Sequence, residues 1–164
     1  MKTIHNYRDK EYVRILDSTH SESYEAKEMI GGVYEVRNRD YNENMLVVWN
    51  KDKSDFWHFN KSDTQICYPD FVIDGHVLGN GDVVKNDNDK LLTVFDIAWA
   101  SDGLNIKFYY KNGESDVYSY NIEQLKYFTL HSTVYPRKEE VTELTLEDIA
   151  KKFNVDVKSL KIKK

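Results

Sequence analysis

The sequence predicts a mainly β protein with minor α, made of two small β modules in tandem followed by a C-terminal helix. Three observations predict it. Residues 46–60 and 106–121 match once a single inserted residue, Gly113, is allowed: Lys51 meets Lys111, Ser54-Asp55 meets Ser115-Asp116, and Trp57, Phe59 and Asn60 meet Tyr118, Tyr120 and Asn121. Each copy is an alternating apolar run, a polar turn and a second alternating run, which is the pattern of a β-hairpin, and a repeat of this kind sets the architecture. Aromatic residues make up 13% of the chain, with twelve tyrosines; they favour strands and provide much apolar area per side chain, which a small module needs. Beyond Pro136 and the charged run Arg137-Lys138-Glu139-Glu140, the apolar spacing changes to that of a helix.

Taken in order, Tyr12-Val13-Arg14-Ile15-Leu16 reads as a first strand, and Ser23 to Met29 as a helical turn ahead of a reversal at Ile30-Gly31-Gly32. Gly32 to Arg39 is the second strand, the first hairpin supplies two more, and Ser62 to Ile66 is a short helical turn leading to a fifth piece near Cys67. Module one is therefore placed at 1–70 and module two at 71–135. In the second, His76-Val77-Leu78 and Asp82-Val83-Val84 are short strands around a Gly79-Asn80-Gly81 turn. Asn86 to Asp89 is a polar loop, Leu91 to Trp99 a long strand and Ser101-Asp102-Gly103 a turn. The second hairpin turns at Asn112-Gly113, the strongest hairpin dipeptide of the chain. Ile122 to Leu125 then falls where Ser62 to Thr64 fell in the first copy. Residues 136–164 form a linker and helical tail in which Thr145 caps, Asp148 completes a weak capping box, and Leu146, Ile149 and Phe153 make an apolar docking stripe.

The order of short strands, long early loops and a late helical turn resembles an SH3-like small barrel over roughly residues 10–132, without a diagnostic motif. The tail Leu144-Thr145-Leu146-Glu147-Asp148-Ile149-Ala150-Lys151-Lys152-Phe153-Asn154-Val155-Asp156-Val157-Lys158-Ser159-Leu160 resembles the first helix and turn of a helix-turn-helix, the middle of a LysM glycan-binding repeat, and the short helical tails of small phage proteins. The first two are incomplete here. A structural or docking tail is the expectation.

At 164 residues the chain holds two modules of about 60, near the lower limit for an independent core, so they are expected to lean on each other. Cys67 is the single cysteine and allows no internal disulfide, which fits a reducing cytoplasm, the host's if the protein is viral. No apolar run is long enough to span a bilayer and Met1 to Arg8 has no apolar core, so no membrane role is expected. Residues 1–136 carry 15 Lys and Arg against 22 Asp and Glu, whereas residues 137–164 carry 8 against 6. An acidic body is poorly suited to nucleic-acid backbones and well suited to a basic protein surface.

Chemistry leaves no recognisable frame. His5, His20, His58, His76 and His131 are scattered and only Cys67 joins them, so no metal ligand set is expected. Asp87-Asn88-Asp89 lacks the glycine and distant glutamate of a calcium loop. There is no nucleophile elbow, P-loop or dinucleotide fingerprint, so no catalytic residue and no cofactor is assigned.

The repeat orients a surface. Lys107 belongs in water, so by alternation its side of the hairpin is the outer one, and Tyr109 shares it. The matching Val47 and Trp49, with Phe56 and His58 on the neighbouring strand, then form an outward cluster, while Trp57 and Tyr118 point inward. Such a cluster marks a protein-binding surface, or else it is covered by the other module or the tail. With a composition typical of AT-rich genomes, the expectation is a non-enzymatic phage or mobile-element accessory protein that binds and inhibits a basic host protein, such as a nucleic-acid-handling or defence enzyme. The alternative is a nucleic-acid-associated regulator whose basic tail contacts DNA weakly.

Overall fold

Short runs of β-branched and aromatic residues, separated by polar turns, form eleven strands among the described residues. The structure, a computed structural model, describes residues 5–19, 23–39, 44–110, 116–135 and 156. It is mainly β, with two antiparallel sheets. The strands are β1 (Tyr12–Ile15), β2 (Val33–Arg39), β3 (Met45–Trp49), β4 (Phe56–Asn60), β5 (Thr64–Ile73), β6 (His76–Gly79), β7 (Val83–Lys85), β8 (Leu91–Ala100), β9 (Gly103–Tyr110), β10 (Val117–Asn121) and β11 (Thr129–Ser132), with one short helix, α1 (Tyr24–Glu28). The tail stripe Leu146, Ile149 and Phe153 and the Asn112-Gly113 turn lie outside the described residues.

The first sheet runs β4-β3-β2-β1-β5-β6 and the second β10-β9-β8-β7-β11. The first five strands of one and the five of the other follow the same path. The register shows that the sequence match is a structural one: Val48 faces Trp57 and Leu46 faces Phe59 in the first hairpin, as Phe108 faces Tyr118 and Ile106 faces Tyr120 in the second. Even the irregularity recurs. β2 is interrupted between Val36 and Asn38 opposite Val48 and Val47, and β8 between Val94 and Asp96 opposite Phe108 and Lys107; an extra residue there bends the strand and sharpens its twist. After each hairpin comes a 3-10 turn, Lys61–Asp63 and Gln124–Tyr127. Asn121 and Gln124 close the second by exchanging hydrogen bonds, each side-chain oxygen accepting the other's backbone N–H (2.9 and 3.0 Å).

Two cores follow from this. Val13, Ile15, Ala26, Met29, Leu46, Val48 and Phe59 fill the first, and Phe71, Leu78, Val84, Leu92, Val94, Ile106, Phe108 and Phe128 are central to the second. α1 contributes Ala26, and the Met29 that caps its C-terminus lies three residues further on the same face; the chain then reverses at Gly31, whose φ of +86° is costly for any residue with a Cβ. β5 is twice the length of the hairpin strands β3 and β4: its first half pairs with β1, and its second half sends Phe71 and Ile73 into the second core. It begins at Thr64, so the expected helical turn over Ser62 to Ile66 is confined to Lys61–Asp63. β11 carried no signal in the sequence because Thr129-Leu130-His131-Ser132 has one apolar residue; it forms because β7 offers an open edge.

Candidate functional site

The outer side of β2, β3 and β4 collects the residues that alternation assigned to a contact surface. Leu46, Val48 and Phe59 point into the first core, so Val47, Trp49, Phe56 and His58 take the opposite side. There, Phe56 stands edge-on to Trp49, with ring centres 6.0 Å apart at 86°, and 6.0 Å from the His58 ring at 71°. Phe56 is 36% exposed and His58 is exposed, while Trp49 is half-buried. Val47 needs correction as an exposed member: it is on that side but only 4% accessible, a short side chain set between its cross-strand neighbours Asn38 and His58. Tyr109 does not join the cluster. It holds the equivalent place on the second sheet, 41% exposed and 5.4 Å from the Phe95 ring. Trp57 and Tyr118 do face their cores, yet both are half-buried, because among the described residues β4 and β10 are edge strands with no neighbour on one side.

One participant was missed. Arg37, the extra residue of the β2 bulge, lays its guanidinium over Trp49 and Phe56, with Cζ 4.8 and 4.1 Å from the ring centres. Its neighbours Tyr34 and Val36 pack on the first core, so alternation along β2 already points to the outer side for Arg37, and only the restriction of the expected face to the hairpin left it out. Beside it, the Glu35 carboxylate pairs with Lys10 and Lys53. Burial pushes Glu35 up, but the hydrogen bonds from the two lysines outweigh it and hold the carboxyl below its usual range.

A second cluster is polar and buried, where β1, β5, β6 and the turn before β7 meet. Asp82, 0% exposed, accepts four N–H groups: from His76 Nε2 (2.8 Å), Gln65 Nε2 (2.9 Å), Gly79 (2.9 Å) and Val134 (2.9 Å). Arg14, 4% exposed, donates to Gln65 Oε1 (2.8 Å) and the Val77 carbonyl (2.7 Å), and its Nη1 lies 4.0 Å from Asp82. Burial pushes Asp82 up, yet its hydrogen bonds win and hold it below the usual carboxylate range. Nearby, burial pushes the Cys67 thiol up to about 12, so it is inert as a nucleophile. The sequence signal for this cluster was faint: one arginine inside the apolar run Tyr12 to Leu16, and a histidine and an aspartate on either side of a glycine turn. Among the described residues no group of three or more His, Cys, Asp or Glu is arranged to hold a metal, and no helix is long and apolar enough to cross a membrane. No protein-family model, curated protein or solved structure matches the chain.

Proposed function

We propose that the two sheets are tandem SH3-like modules and that the chain is a non-enzymatic binding protein, using the Trp49–Phe56–His58 face to capture a basic partner. The shared strand order, the shared bulge and the 3-10 turn after each hairpin support the SH3-like reading. One observation carries the binding reading: Arg37 rests its guanidinium on Trp49 and Phe56. The face is therefore built to hold a guanidinium, by cation–π attraction over two rings. A partner's arginine can take the same place, and the acidic body, 15 Lys and Arg against 22 Asp and Glu over residues 1–136, favours its approach. Occupying a groove meant for phosphate would be the simplest way to inhibit a nucleic-acid-handling or defence enzyme. The composition and the phage-like tail support a phage or mobile-element origin and action in the host cytoplasm.

Trp49→Ala is expected to weaken capture by about 2 kcal/mol, roughly thirtyfold, as for a central aromatic anchor. Its stability loss should be smaller, since the ring is only half-buried. Binding of an arginine-rich peptide, followed by titration calorimetry beside a thermal melt, checks both; unchanged affinity would remove the face from the binding site. Arg37→Ala is expected to strengthen capture severalfold, because it empties the guanidinium position and removes a like charge. Weakened capture would mean that Arg37 itself meets an acidic partner, and the basic-partner reading would fall. Sequence-specific duplex binding that disappears on removing residues 137–164 would instead favour the DNA-regulator alternative.

A further inference from the structure

A cleft of about 480 Å³, formed where α1 leads into β2 against β6, shares no residue with the aromatic face. Ile30, Val33, Val77 and Tyr135 give it apolar walls, and Arg14 and His76 supply its polar surface. This is the size and make-up of a small-ligand site. We propose that it binds the carboxyl group of an apolar carboxylic acid.

Proton bookkeeping supports that choice. Asp82 already accepts hydrogen bonds from Gln65, Gly79 and Val134, as a carboxylate does, so the His76 Nε2 atom 2.8 Å away is its fourth donor. The 3.3 Å approach of Arg14 Nη1 to the same Nε2 thus joins two donors and is no hydrogen bond. In the neutral ring the proton on Nε2 leaves Nδ1 as an acceptor, and Nδ1 has no partner among the described residues. Arg14 spends one N–H on Gln65 and one on Val77, and its remaining N–H groups have no acceptor among the described residues. The cleft wall therefore sets the Arg14 guanidinium beside the His76 ring. A carboxyl group satisfies both: one oxygen accepts from Arg14, and the other hydrogen-bonds at Nδ1 through a single shared proton. Doubly charged phosphate fits worse, because the Arg14 charge is already balanced by Asp82 at 4.0 Å. The charged and titratable groups around the ring are Arg14 on β1, Asp82 before β7 and Tyr135 after β11, with Cys67 of β5 behind Arg14 and Asp82.

The test titrates the full ¹⁵N-labelled chain with 3-phenylpropionate and, as the uncharged twin, 3-phenylpropionamide, following the His76 ring and Arg14 Nε signals. The acid should shift both saturably and bind at least tenfold tighter than the amide. Val33→Trp, which fills the cleft from the β2 position paired with Arg14, and His76→Gln, which keeps a donor for Asp82 but has no Nδ1, should each cost tenfold or more, read on Arg14 Nε. A hydrophobic peptide with a free or an amidated C-terminus separates the two sources of the carboxyl group: binding of the free small acid alone indicates a metabolite, and tighter binding of the free-terminus peptide indicates a chain end. No shift at about 10 mM acid, an equal response to the amide, or binding indifferent to Val33→Trp would overturn the proposal.

Discussion

Asp82→Ala is expected to cost about 3–5 kcal/mol, enough to unfold much of the population of a marginally stable small protein. The substitution leaves Arg14 buried without its counter-charge, and strips the acceptor from His76, Gln65, Gly79 and Val134 at one stroke. Those donors come from β5, β6 and the segment after β11, so the loss is felt in both sheets together. Asp82→Asn, which keeps one acceptor oxygen, should cost less. Urea denaturation measures both; a loss below about 1 kcal/mol for alanine would show that water replaces the carboxylate and that the cluster is no lock between the modules. The same group sets an acid limit. Its pKa is depressed in the folded state, so its contribution is complete above the unfolded aspartate value of about 3.9 and is lost as pH falls through the lower folded value. The acid limb of the stability curve should therefore flatten in Asp82→Asn.

Phe108→Ala is the second large effect, about 3–5 kcal/mol. Phe108 is fully buried, stacked on Phe128 with centres 5.9 Å apart at 15° and meeting Tyr120 at 5.8 Å. Truncation opens a cavity that rings from two other elements, β10 and the end of the 3-10 turn, have no way to fill. Its counterpart in the first sheet is Val48, equally buried but far smaller. Val48→Ala should cost no more than about 1–2 kcal/mol, since it deletes less volume at the same topological place. Denaturation midpoints of the two variants make the comparison. Equal losses would mean that the two modules do not unfold as one unit with comparable packing.

Much of the fold was legible along the chain. The strand at Tyr12, the helical turn ahead of Ile30-Gly31-Gly32, both hairpins and the long strand from Leu91 lie where period-two alternation and glycine turns put them. The register of the repeat, Trp57 with Tyr118 and Phe59 with Tyr120, was readable to the residue. β11 and the second half of β5 were not, because each is held by a strand far away in sequence rather than by its own pattern. Of the outer face, the side on which Trp49, Phe56 and His58 stand could be read from alternation, and so could that of Arg37 on β2, although the expected face stopped at the hairpin; the burial of Val47 could not.

The sequence by itself determined what depends on neighbours a few residues apart: strand faces, the repeated hairpin and the sign of the net charge. Only the tertiary structure decided what depends on distant groups meeting. Arg14, Gln65, His76 and Asp82 are ordinary polar residues in their own segments, and they become a buried, charge-balanced network because β1, β5 and β6 lie side by side. The physical reason is one of range. Alternation and turn preference act through local backbone geometry, whereas the desolvation of a charge is fixed by everything packed around it, from whichever part of the chain it comes.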